Sequence, residues 1–313
     1  MPDAMRKWLQ PQNWQRDSDD PCVSLGAPGA FDDMHLFAPC VAFENNTYSM
    51  WYCGSRGDVD DRVFHMGLAT GRDGVHFAKH PQSPVYSFGD GVHSVLTPTL
   101  LRSPDGALLR ENGALRMWFA ATTFEPGNPH TLHETASEDG IRWAPPSATQ
   151  LSEVYAPTVI KEEDAYRMWY TDVTRDPWCY RHAESPEGQT WQVTPNPVLQ
   201  LDQAWEHGRL FYPTVLKADG LYLMWYGSYL ASDHHKTAIG LAVSKDGVHW
   251  RKNPNNPVFG PDESRAWESH YTTSQSVFHL PDGTWRIWYA SRTRPPFTHK
   301  YFAIGTARWA GPE

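Results

Sequence analysis

The chain has 313 residues, with 27 Lys+Arg against 36 Asp+Glu and a formal net charge of −9 with His neutral. That balance lacks the basic footprint of a nucleic-acid binder, and no apolar run approaches the roughly 18–20 residues needed to span a bilayer, so neither nucleic acid nor membrane is an expected partner. The 15 Trp, 14 Tyr, 13 Phe, 23 Gly and 26 Pro favour strands, aromatic surfaces and frequent turns over long helices.

Met1–Gln10 carries no apolar leader core, which predicts a cytoplasmic protein. Cys22, Cys40, Cys53 and Cys179 show no Cys-x-x-Cys spacing and read as reduced thiols.

The first strand pattern, Asn13-Trp-Gln-Arg16 with Asp20-Pro-Cys-Val23, has no obvious partner beside it in sequence. A repeating unit then begins: a Pro-bearing strand at Ala38-Pro-Cys-Val41, an aromatic strand at Tyr48-Ser-Met-Trp-Tyr52, a third strand at His65-Met-Gly-Leu-Ala69 and a turn at Asp73-Gly-Val-His-Phe77. The unit recurs with Thr97-Pro-Thr-Leu100, Leu115-Arg-Met-Trp-Phe119, Leu132-His-Glu-Thr-Ala136 and Asp139-Gly-Ile-Arg-Trp143. Its third copy has Ala156-Pro-Thr-Val159, Tyr166-Arg-Met-Trp-Tyr170, Tyr180-Arg-His-Ala183 and Glu187-Gly-Gln-Thr-Trp191. Its fourth has Tyr212-Pro-Thr-Val215, Leu221-Tyr-Leu-Met-Trp-Tyr226, Ile239-Gly-Leu-Ala242 and Asp246-Gly-Val-His-Trp250. The fifth, Ser274-Gln-Ser-Val277, Trp285-Arg-Ile-Trp-Tyr289 and Ile304-Gly-Thr-Ala307, stops after its third strand.

Five units of four antiparallel strands predict an all-β, five-bladed β-propeller. The N-terminal pattern matches His249-Trp-Arg-Lys252 followed by Asn256-Pro-Val-Phe259. Residues 13–23 are therefore predicted to complete the last blade, closing 1–313 into a single domain and removing exposed edges.

In such a ring the first strand of each blade faces the axis. The long polar loops between second and third strands, Gly54–Val63, Ala121–His130, Asp172–Trp178, Gly227–Lys236 and Ser291–Lys300, mark the functional face. Features repeated among blades read first as scaffold: the Asp-Gly turns, and the pairs Phe31-Asp32, Trp205-Glu206 and Trp267-Glu268, of which Glu206 and Glu268 are retained as candidate substrate contacts.

Residues that break the repeat are the stronger site candidates. Four positions before the strand-one proline stand His35, Ser94, Glu153 and Arg209, with His270 or Tyr271 as the fifth counterpart; Asp33, His93 and His207 are adjacent. Second-strand ends add Arg56, Arg292 and the lone carboxylate Asp172. These arginines suit a carboxylate or phosphate on a substrate. Tyr155, Phe211, Tyr212, Tyr229 and Phe37 offer stacking faces for sugars. No metal or other cofactor is assigned: Asp58, Asp60 and Asp61 lack a complete calcium pattern, while an axial ion on several histidines, with His234, His235 and His299 in the same loops, stays open. The competing reading of the rim is an ion-pair network plugging the channel.

The repeats resemble the five-bladed propeller superfamily of arabinanases, β-xylosidases, invertases and levansucrases, which includes glycoside hydrolase families 43 and 32. The resemblance spans essentially the whole chain and implies an axial sugar pocket with carboxylate catalysis. It places aspartates directly before the strand-one proline and an acid glutamate two before. Here those positions are Ala38, Thr97, Ala156, Tyr212 and Ser274, and Phe37, Leu96, Tyr155, Phe211 and Thr273.

Three functions follow. A glycosidase-like enzyme on a small sugar or glycoside would use Asp33, Glu153 and Asp172 as relocated carboxylates. A scaffold recruited for a biosynthetic or lyase-type reaction would use His35, His93 or His270 with Arg209 or Arg292. A carbohydrate-binding propeller would turn nothing over. The sequence leaves the oligomeric state open.

Overall fold

A computed structural model describes residues 3–58, 60–295 and 302–312. Five antiparallel sheets surround one axis, as the repeat predicts. Blade 1 is His35–Glu44, Thr47–Ser55, His65–Gly71 and Ala78–Lys79. Blade 2 is Ser94–Leu100, Ala114–Thr122, Thr131–Ser137 and Leu151–Ser152. Blade 3 is Val154–Lys161, Tyr166–Asp172, Cys179–Ser185 and Gln192–Val193; blade 4 is His207–Ala218, Leu221–Tyr229, Thr237–Ser244 and Trp250–Lys252. Blade 5 is Tyr271–His279, Trp285–Arg292 and Ala303–Trp309, with Gln15–Arg16 as its outer strand. Gln15 pairs with Arg308, Arg16 with Ala307, and Val23 with Ile304 further along the same strand. A short helix at Asp3–Trp8, which the strand pattern does not predict, buries Trp8 against Trp225, Trp285 and Trp309.

The repeated Trp-aromatic motif and the repeated Gly turn are one device. Trp51 Nε1 donates to the Gly140 carbonyl of the next blade at 2.8 Å, Trp118 to Gly188, Trp169 to Gly247, and Trp288 to Gly74. A Cβ at Gly140, Gly188 or Gly247 would lie 2.8–2.9 Å from the partner indole, and each of the three has positive φ. Glycine is required there twice over, for conformation and for close approach. Blade 5 lacks that turn, and Gln12 from the N-terminal segment takes its place, its Oε1 accepting from Trp225 and Trp14.

On the opposite face the strand-one hairpins hand an acid to the next blade. Glu44 accepts from Arg110, Glu111 from Arg116 and Tyr166, Glu162 from Lys217 and Tyr222, and Asp219 from Lys7 and Trp8 of the N-terminal segment.

Each inner strand carries one register shift: Phe37/Cys40, Leu96/Thr99, Tyr155/Thr158, Phe211/Thr214 and Thr273/Ser276. At each shift one non-glycine residue takes positive φ, namely Ala38, Thr97, Ala156, Tyr212 and Ser274, between 45° and 57°. Such left-handed residues cost on the order of 1 kcal/mol each, so a fivefold recurrence marks a constrained ring around the axis. Below it the axis narrows to a space of about 50 Å³ among the Pro and Thr positions, bordered by Arg102, whose Nη1 donates to Ser276 Oγ at 3.0 Å.

All four cysteines are buried and free. Among the described residues no helix is long and apolar enough to cross a membrane.

Candidate functional site

At the mouth of the axis, above the ring of shifts, lies a cavity of about 270 Å³. Its floor is apolar: Phe37, Ala38, Leu96, Ala156, Phe211 and Tyr212 belong to one buried cluster. The positions where the resembled family carries aspartates are here part of that cluster or small hydroxyl residues. Tyr155 and Tyr212 share a 2.7 Å hydrogen bond between their hydroxyls across blades 3 and 4. Burial pushes the Tyr155 phenol far above its ordinary value. Burial, then the neighbouring Tyr229, pushes Tyr271 up to about 12. Both are neutral donors at physiological pH.

The walls come from the loops between second and third strands. Phe124 and His130 enter from blade 2, Trp178 from blade 3, and Tyr229 from the end of the second strand of blade 4, with Thr237, Tyr271 and Thr273 completing the rim. His130 packs against Tyr155 at 4.9 Å between ring centroids, and Tyr229 stands edge-on to Phe211 at 5.1 Å. Two guanidiniums line the same space. Arg62 lies 4.4 Å above the Phe124 ring and Arg209 4.4 Å above the Trp178 ring. Among the described residues no Asp or Glu lines the cavity.

Of the sequence candidates, Tyr155, Phe211, Tyr229 and Arg209 therefore meet at one cavity, together with Tyr212 and Tyr271. The carboxylates expected to do acid/base work lie outside its lining. Asp33 accepts from the Gly29 and Gly57 backbone N–H groups at 2.7 and 3.2 Å. Asp172 accepts from Thr174 and, at 2.8 Å, from Arg181; burial pushes its carboxyl up, but these bonds outweigh it and hold it below the usual range. Glu153 precedes Val154, whose N–H bonds the His130 carbonyl, and takes positive φ at 64°.

The histidines divide likewise. Asp90-Gly91-Val92-His93 is a further copy of the capped Asp-Gly turn: Asp90 accepts from the Val92 and His93 N–H groups and pairs with the His93 ring, as Asp73 does with His76 and Asp246 with His249. His270 pairs through its backbone with Arg292 and Thr237, with its ring on Ser269; burial, then Lys236, lowers its pKa. His35 is fully buried and stacked on Phe64. His234 stacks on Tyr229, and His299 lies outside the described residues.

Glu206 and Glu268 share a structural arrangement with Asp32. Each accepts a strand-two tyrosine hydroxyl and an outer-strand cation: Asp32 from Tyr52 and Lys79, Glu206 from Tyr226 and Lys252, Glu268 from Tyr289 and Arg16. Arg292 lies 5.1 Å over the Tyr271 ring, at the rim, and Arg56 is exposed. No group of three or more His, Cys, Asp or Glu among the described residues has the arrangement to hold a metal.

Residue type alone missed Arg62, Phe124, His130 and Trp178, although each lies within a loop that length had marked as functional.

No protein-family model matches the chain. The uncharacterized protein Rv1502 of Mycobacterium tuberculosis (strain ATCC 25618 / H37Rv) is 24% identical over 245 residues, covering 72% of this chain and 76% of the relative. Among solved structures, a protein described as a glycoside hydrolase superposes with a TM-score of 0.76 at 16% identity, over 99% of this chain and 95% of its own. A structure from work on GH130, a family of mannoside phosphorylases containing glycoside hydrolases that target β-1,2 mannosidic linkages in Candida mannan, gives 0.72 at 13% identity, over 98% and 95%. The chain thus has the five-bladed propeller fold of glycoside hydrolases, and a shared fold does not fix a reaction.

Proposed function

We propose that this chain is a glycosidase-like propeller that takes a small sugar or glycoside into its axial cavity. The observation that carries the reading is the cavity itself: about 270 Å³ at the axial mouth, walled by Tyr155, Tyr212, Tyr229, Tyr271, Phe211 and Trp178. Aromatic faces take the apolar side of a sugar ring, while phenol hydroxyls and guanidiniums meet its oxygens. The volume lies near the lower bound of ligand pockets, roughly 300 Å³, and suits one ring better than a polymer.

A two-carboxylate mechanism needs both acids flanking the bond, about 5–9.5 Å apart. The described lining offers none, so the reading rests on recognition and assigns hydrolysis no residue inside the cavity. Melting temperature measured against a panel of monosaccharides and aryl glycosides tests it. At least one small sugar is expected to raise the midpoint, and Tyr155→Ala to abolish the rise in a folded protein; a panel without effect overturns the reading.

One observation favours turnover at the rim. Glu153 holds a left-handed backbone conformation beside the wall residues His130 and Tyr155, and such strained residues concentrate at functional sites. Under this second reading Glu153 is the acid. Reducing-sugar release from aryl glycosides is then lost in Glu153→Gln, and release that survives the change removes Glu153 from the mechanism.

A further inference from the structure

We infer that the ligand of the axial cavity is an anionic sugar, whose carboxylate or phosphate sits with Arg62 and Arg209. The inference rests on the reading of the cavity as a sugar site and names the class of sugar.

Three observations carry it. First, two guanidiniums line one small cavity in a chain whose net charge is −9, and no carboxylate lies among the described lining residues. Second, each guanidinium is stacked on a ring, Arg62 on Phe124 and Arg209 on Trp178, both at 4.4 Å. Stacking fixes the plane of the fork without neutralising it, which leaves the N–H edge to recognise an oxyanion. The acid recorded beside Arg209 is Asp176, at 3.7 Å from Nε and 79% exposed, a distance and exposure at which a pair contributes little. Third, the two cations come from different blades. Arg62 lies in the loop after the second strand of blade 1, and Arg209 is in the inner strand of blade 4. Two cations converging on a partly desolvated space repel one another, and a bound anion relieves that repulsion. The Tyr155 and Tyr271 phenols, held protonated, add neutral donors rather than a competing charge.

The carboxylate of a uronic acid and the phosphate ester of a sugar phosphate share this chemistry, and matched ligands separate them. Calorimetric titration of the full chain with glucose, glucuronate and glucose 6-phosphate, the galactose series in parallel and inorganic phosphate as a control, measures the anion-to-neutral affinity ratio. A ratio of at least tenfold is expected for one anionic series, as a bidentate guanidinium contact supplies. The series showing it identifies the anion. Arg62→Gln and Arg209→Gln are each expected to collapse the ratio by about tenfold, and Arg209→Lys to restore part of it. Neutral and anionic sugars binding alike, or a ratio indifferent to both substitutions, overturns the inference while the sugar site stands. Inorganic phosphate matching the sugar phosphate overturns the claim of an anionic sugar. No binding by either class overturns both readings. Melting curves confirm that each variant is folded.

Discussion

Arg16 Nε donates to Glu268 Oε1 at 2.7 Å, joining residues 252 apart in the chain. The same carboxylate accepts from the Tyr289 hydroxyl at 2.5 Å and is fully buried. The pair fastens the first strand of the chain to the incomplete fifth blade. Glu268→Ala leaves the Arg16 guanidinium, itself largely buried, without its partner, and is expected to lower unfolding free energy by about 3–5 kcal/mol. Urea denaturation checks this: the midpoint falls while the slope stays near wild type.

Acid stability has a definable origin on the opposite face. Burial pushes Glu111 up, but bonds from Arg116, Lys161 and Tyr166 outweigh it and hold the carboxyl at about 2. Its folded pKa is depressed, so its contribution is fully present above the unfolded value near 4.5 and is lost as pH falls towards 2. Glu111→Gln is expected to remove on the order of 2 kcal/mol at pH 7 and much less at pH 2.5. Denaturation at the two pH values checks the difference.

The absence of acids from the inner-strand shifts is a packing matter that substitution can test. Ala156 is 4% exposed in the apolar floor. Ala156→Asp places a charge there without a recorded partner and is expected to cost about 2–4 kcal/mol. A thermal midpoint unchanged from wild type contradicts the description of the floor as closed and apolar.

The Tyr155–Tyr212 hydroxyl pair gives a milder test. Tyr155→Phe keeps the ring and deletes one hydrogen bond, leaving the Tyr212 hydroxyl without the 2.7 Å contact. A loss of about 1 kcal/mol is expected, with sugar affinity falling less than in Tyr155→Ala. Denaturation and titration of the two variants together check the order.

Much of the fold was legible because it is repeated. Trp51, Trp118, Trp169 and Trp288 perform the same task in different blades, and so do Asp32, Glu206 and Glu268. The site was legible only in part, since repetition is silent there. Broken symmetry drew attention to charged residues, but charge carries no direction. Asp33 turned to the backbone of Gly29 and Gly57, and Asp172 to Arg181. His93 was itself a repeat, concealed because its Asp-Gly turn lacks the aromatic that follows the others. Arg209 and Tyr155 emerged because inner-strand starts face the axis. Arg62 and Trp178 did not, because the path of a long loop depends on tertiary contacts such as the stacks on Phe124 and under Arg209.

The central claim is that the axial mouth is a sugar site. A crystal structure after soaking with the sugar that most raises the melting midpoint tests it directly. The account predicts a ring in the cavity, in contact with Tyr155, Tyr212 and Arg209. Sugar bound elsewhere on the propeller while that cavity holds only solvent would contradict it.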